Sequence, residues 1–158
     1  MFAHVLHFLL AMIALTLAAP TSRNCPVEDT PWDIRNLVAF QAAPGANVAS
    51  YIKLHFCDQN TGLELETECS RTLAAGSSDS LVDTENWYPC DNADVRFKYG
   101  GDTVWIERAF TSPCLGPPPY DGAVAYGEAG TNVVNTTSAA GNTCTQDHFV
   151  VEITSESS

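Results

Sequence analysis

The stretch Leu63-Glu64-Leu65-Glu66-Thr67-Glu68-Cys69-Ser70 decides the fold. Apolar and acidic residues alternate through it with period two, the repeat of an extended strand. Leu63, Leu65, Thr67 and Cys69 therefore share one face, and Glu64, Glu66 and Glu68 the other. A polar loop follows. Then Asn86-Trp87-Tyr88-Pro89-Cys90 brings two aromatics and a second cysteine back against the strand. A Cys69–Cys90 bridge would close the loop between them, and in a small secreted domain such a bridge contributes about 2–4 kcal/mol.

The same period continues on both sides. Upstream, Ile52, Leu54 and Phe56 alternate with Tyr51, Lys53 and His55, a strand over Ser50 to Cys57. Asp58-Gln59-Asn60-Thr61-Gly62 joins the two strands as a hairpin turn. It has a faint look of a calcium loop, but Gly62 falls one position early and the twelve-residue register is missing. Trp32 to Phe40 reads as a first strand whose phase shifts near Asn36, the mark of a bulge. Ala43-Pro44-Gly45 turns it into the next.

Downstream, Ala74 to Glu85 reads as polar loop. Asp94 to Tyr99 and Thr103 to Phe110 form a hairpin about Gly100-Gly101-Asp102. Val104, Ile106 and Phe110 share a face, with Trp105 on the other. From Ser112 to Thr143 the period dissolves, leaving loop with one short strand at Val124 to Tyr126 or at Asn132 to Val134. His148 to Thr154 is the last strand, and Ser155 to Ser158 a frayed tail. With six to eight short strands and no helix past the leader, the expected class is all-β: a small antiparallel β-barrel or sandwich stapled by disulfides.

Within the 158 residues, the first eighteen read as a signal peptide and 19–158 as one β-domain. Phe8 to Leu17 is an unbroken apolar run ending in Ala18 and Ala19, too short for a bilayer span. Cleavage after Ala18, with a short pro-segment to Arg23, would give a secreted, extracellular protein. Net charge is −12, and every charged residue lies after the leader. That argues against nucleic acid and anionic membranes, which need a basic face. It leaves solubility, or a basic protein partner.

Catalytic groups are sparse. His55 and His148 lie on the polar phase of their strands, and no Gly-x-Ser-x-Gly elbow accompanies them. Glu64, Glu66 and Glu68 might serve a glycosidase, but nothing singles out an acid and a nucleophile. Three glutamates at this spacing more often make a solvated face, with Lys53 or Arg71 across the strands to ease their repulsion. Without a CxxC pair, and with two histidines after the leader, zinc is disfavoured and no cofactor is expected. Trp87 and Tyr88 read as core beside a disulfide, or as the lining of a small-molecule or sugar site. Trp105 is a candidate contact surface. Asn135-Thr136-Thr137 is a glycosylation sequon in the irregular region.

The mature chain resembles the family of small secreted fungal proteins typified by the major allergen of Alternaria. The resemblance is carried by Asn24-Cys25-Pro26-Val27 with Trp32-Asp33-Ile34, by Leu63 to Ser70, and by Asn86-Trp87-Tyr88-Pro89-Cys90. Val95-Arg96-Phe97, Val104 to Phe110 and the closing Ser157-Ser158 fit as well, whereas Pro113 to Asn142 matches poorly. It implies a β-barrel or sandwich without enzymatic activity: an effector, elicitor or allergen. It also implies, as partner, a plant-defence protein of the thaumatin-like, pathogenesis-related type, or a flavonoid-type ligand. The family's two intrachain bridges fall on Cys69–Cys90 and Cys114–Cys144. Its first cysteine, matching Cys25, can link two chains. Cys57 departs from the pattern, and an even cysteine count favours a Cys25–Cys57 bridge over a Cys25-linked homodimer.

These readings make the chain a secreted, non-enzymatic effector, elicitor or allergen-like protein that binds host plant-defence proteins. The alternatives are a carrier of a small apolar or flavonoid-type ligand, and a secreted hydrolase of the glycosidase kind.

Overall fold

The structure is a computed structural model that describes residues 25–158. The leader and its cleavage site lie outside the described residues. Nine strands follow in order: β1 Trp32–Ala42, β2 Ser50–Asp58, β3 Leu65–Leu73, β4 Asp83–Pro89, β5 Val95–Tyr99, β6 Thr103–Thr111, β7 Gly122–Gly130, β8 Val134–Ser138 and β9 Gly141–Ser157. All pair antiparallel, in the order β3-β2-β1-β9-β7-β6-β5-β4, with β8 beside the first part of β9. No helix occurs among the described residues. The result is a nearly closed barrel.

Alternation builds the interior. Ile52, Leu54 and Phe56 of β2 point inward, as do Val95 and Phe97 of β5 and Val104 and Ile106 of β6. The bulge in β1 falls where the sequence places it: Asn36 has φ 54°, and the register shifts between Arg35 and Val38. It moves the inward phase from Trp32 and Ile34 to Leu37 and Ala39. Trp32 packs edge-on against Phe56, with ring centroids 5.6 Å apart.

Two segments differ from expectation. The irregular region holds two strands, β7 and β8, rather than one short strand. The tail is not frayed: Ser155 to Ser157 extend β9 and pair with Tyr126, Ala125 and Val124 of β7. β9 is long enough to change neighbours. Its first part lies between β1 and β8, and its last part pairs with β7.

Every junction along this order is a ladder of several pairs except the last, between β3 and β4. There a single bridge, Cys69 opposite Cys90, carries the Cys69–Cys90 disulfide. The Asp91 amide donates to the Glu68 carbonyl at 2.8 Å, and the Asn92 amide to Thr67 Oγ1 at 2.9 Å. Arg71 adds an ion pair to Asp83 at 3.8 Å and lies 4.2 Å over the Tyr88 ring.

The other expected bridges are corrected. Cys25 bonds to Cys114, while Cys57 and Cys144 are free thiols. Alternation explains Cys57. Asp58 points inward, so Cys57 points outward, against Glu66 Oε1 at 3.3 Å and away from the Cys25 segment. Position explains Cys144. It pairs with Ala39 and Asn135 in the first part of β9, whereas Cys114 follows β6 at the end where β9 finishes. Cys25 is thus held within one chain, as expected, but by Cys114 rather than by Cys57.

Replacing Cys69 and Cys90 by serine should lower unfolding stability by roughly 3 kcal/mol, the loop-closure value for about twenty residues. Urea denaturation measures it. An unchanged midpoint would mean that the seam closes without the disulfide.

Candidate functional site

Two outer faces and one end of the barrel carry the chemistry. On the first face, β3 turns Glu66 and Glu68 to solvent, and Glu64 precedes them in the same phase. The backbone amides of Glu64 and Gly62 hold the Glu64 carboxyl below its usual range. The residue that meets the glutamates across the strand is His55, rather than Lys53 or Arg71. Its Nδ1 lies 2.8 Å from Glu68 Oε1 and its Nε2 3.5 Å from Glu66 Oε2. Two strands away, His148 Nε2 sits 3.0 Å from Asp33 Oδ1, with Arg35 3.2 Å from Asp33 Oδ2. The His148 hydrogen bond is the main cause of a lowered Asp33 carboxyl. Both histidines therefore pair with carboxylates on the barrel's outside. Among the described residues no serine hydroxyl bonds to either ring.

The second face lies on β4 to β7. Trp105 is half-buried, its indole N–H donating to Glu128 Oε2 at 2.8 Å. Its ring rests on Gly100, where any Cβ would meet ring carbons at 2.9 Å. Lys98 Nζ stands 4.5 Å from the centre of the Trp87 ring and 5.6 Å from that of Trp105. Trp87 reaches Tyr126, with centroids 6.4 Å apart. Trp87 thus belongs to the outer surface, while Tyr88 donates to Asp83 beneath Arg71. Trp105 and the glutamates occupy different faces, so they do not form one site.

The third feature was not singled out from the sequence. Glu28, Asp58 and Arg108 are buried together at one end of the barrel. Arg108 Nε lies 3.6 Å from Asp58 Oδ2 and 3.9 Å from Glu28 Oε1, beyond hydrogen-bond reach of either. Asn60 organises the rest. Its Nδ2 donates to Glu28 Oε2 at 2.8 Å and to Asp58 Oδ1 at 2.9 Å, and its Oδ1 accepts from the Thr30 amide at 2.8 Å. The Trp32 indole donates to Glu28 Oε2 at 2.8 Å. The turn before β3 is thus a clamp on the Cys25-to-Pro31 strap, and its aspartate and asparagine are occupied there. A signal existed: Asp58 continues the inward phase of Leu54 and Phe56, and Arg108 that of Val104 and Ile106.

Burial pushes the Glu28 carboxyl up to about 7, the Asp58 charge adding to the rise, while the Trp32 hydrogen bond and Arg108 oppose it. The barrel axis is filled by side chains. Beside Arg108 opens a cavity of about 680 Å³, lined by Leu63, Phe110, Ala123 and Val124 with Glu64 and Ser157.

A nearly closed antiparallel barrel with two disulfides, a packed axis and charged outer faces defines the structural class. Two crystal structures are similar in fold, both of the Alternaria alternata allergen Alt a 1. One superposes with a TM-score of 0.51 at 12% sequence identity, covering 79% of this chain and 89% of that one. The other gives 0.51 at 13%, covering 80% and 94%. At this identity the likeness is one of fold, and the chain is a distant fold relative of Alt a 1. No family model and no curated protein sequence matches.

Because burial raises Glu28 in the folded state, its contribution to stability is complete below the unfolded value of 4.5 and is lost as pH rises through about 7. The loss amounts to roughly 3 kcal/mol. Glu28→Gln should flatten this part of the stability–pH profile, measured by urea denaturation at pH 4.5 and 8. An equal slope in wild type and variant would mean that Glu28 does not titrate there.

Proposed function

We propose that the chain is a secreted, non-enzymatic, allergen-like protein that acts as an effector or elicitor by binding a basic host protein. The partner is a plant-defence protein of the thaumatin-like, pathogenesis-related type. The observation that carries this reading is the exposed row of Glu66 and Glu68 on the outer face of β3, continued by Glu64 just before the strand, in a chain of net charge −12. Long-range attraction would steer a basic partner to that row, and short-range pairing would fix its register. Placing Glu66 and Glu68 on a strand rather than a loop holds their carboxylates at fixed spacing. The two disulfides suit an oxidising compartment. The fold shared with Alt a 1 supports the allergen-like part of the reading.

A carrier reading has one observation in its favour, the partly apolar cavity beside Phe110 and Val124. The glycosidase reading has less support. Glu66 and Glu68 lie on an open outer face with the His55 ring between their carboxylates, and the Glu28–Asp58 pair is closed to substrate.

Titration calorimetry of the full chain against a purified basic thaumatin-like protein tests the proposal. We expect binding that weakens with salt, and a loss of roughly tenfold or more in affinity for the E64Q/E66Q/E68Q variant. No heat at low salt, or unchanged affinity in the variant, would overturn it.

A further inference from the structure

Among the described residues nothing covers the β8 edge. All five residues, Val134 to Ser138, are exposed, Val134 at 68%. β8 pairs with β9 on one side and with no strand among the described residues on the other. Edge strands usually carry lysine, proline or a bulge that prevents pairing with a second chain. This one has none: Val-Asn-Thr-Thr-Ser is uncharged and rich in β-formers.

A thiol lies directly beside that edge. Cys144 is opposite Asn135 in the β8–β9 ladder, and its Sγ donates to Asn135 Oδ1 at 2.8 Å. It is half-buried and free. The other free thiol cannot reach it. Cys57 pairs with Asp33 and Cys144 with Ala39, roughly 20 Å apart along β1. Asn135 is also the acceptor of the Asn135-Thr136-Thr137 sequon, and its amide nitrogen makes no hydrogen bond among the described residues. An exposed edge, an accessible thiol and a glycan acceptor with a free amide thus coincide on one residue pair.

We propose that Asn135 carries an N-linked glycan that caps the β8 edge and covers the Cys144 thiol, keeping the chain monomeric. This rests on the export proposed above. In the transfer, Asn135 Nδ2 attacks C1 of a lipid-pyrophosphate-linked oligosaccharide. The C1–O bond breaks, an N–C1 bond forms, Nδ2 loses a proton, and the lipid pyrophosphate leaves. A bulky polar chain at this point stands over the free edge and between Cys144 and any second copy. Without it, two copies could approach edge to edge. The uncovered Cys144 thiolate would attack one sulfur of oxidised glutathione: a Cys144–glutathione disulfide forms, the glutathione S–S bond breaks, and one reduced glutathione leaves.

Thr137→Ala separates the glycan from the side chain beneath it, because it destroys the sequon and leaves the Asn135–Cys144 contact intact. The full chain, with its own leader, is secreted from a yeast host. It is then examined by endoglycosidase digestion, by gel filtration, and by peptide mass after exposure to oxidised glutathione. The wild type should carry a glycan on Asn135 and stay monomeric. T137A should lack the glycan, self-associate, and form Cys144–glutathione adducts roughly tenfold faster, and T137A/C144S should form no adduct. An exported wild type with bare Asn135 overturns the glycan while leaving export standing. A glycosylated wild type that reacts as fast as T137A overturns the shielding. A chain retained in the cell overturns export and glycan together.

Discussion

The β3–β4 seam is the constraint on which the rest of the barrel depends. A sheet closes into a barrel only when its first and last strands meet, and every other junction here is secured by a ladder. At this seam there is no ladder, and one covalent bond, two backbone-donated hydrogen bonds and Arg71 span the gap. The acidic strand is therefore both the edge of the sheet and the rim of the closure. Its inward residues, Thr67 and Cys69, serve the seam, so its outward residues are free to form a charged face. The same alternation that builds the core thus presents the glutamates.

At the end of the barrel a second constraint operates. Burying two carboxylates with one guanidinium is expensive and seldom stabilises a protein by itself. What the cluster gains is attachment. Asn60 reads the backbone at Thr30 and the side chain at Glu28, so the strap can settle in one position. The Cys25–Cys114 bond fixes the strap's far end to the loop after β6. Strap, turn and loop form one end cap, with the cavity beside it. A neutral Glu28 relieves part of the charge cost, which couples the cap to pH.

Much of this was legible in the sequence, and the omissions have physical causes. Strands with one face in the core and one in water announce themselves, as β2, β3, β5 and β6 do. β7 does not, because its inward residues are small. Gly127 lies where any Cβ would come within 3.0 Å of the Trp32 ring and 2.7 Å of the Glu152 carbonyl. β4 begins with Asp-Thr-Glu-Asn and β8 is exposed throughout, so neither alternates. The end of β9 is held by its ladder to β7, which side-chain pattern does not report. Disulfide connectivity is a property of the folded chain, and the alternation that turns Cys57 outward was available but not applied. The acidic row was readable in full. The buried clamp was not, because its members are distant in sequence and each looks like an ordinary polar residue alone.

Seam, strap and free thiols all follow from how the six cysteines are joined. Non-reducing peptide mapping of the alkylated chain by mass spectrometry decides the matter. It should find Cys25–Cys114 and Cys69–Cys90 as the linked peptides, with Cys57 and Cys144 alkylated. A Cys114–Cys144 or Cys25–Cys57 peptide, or a Cys25–Cys25 link between chains, would contradict that pairing.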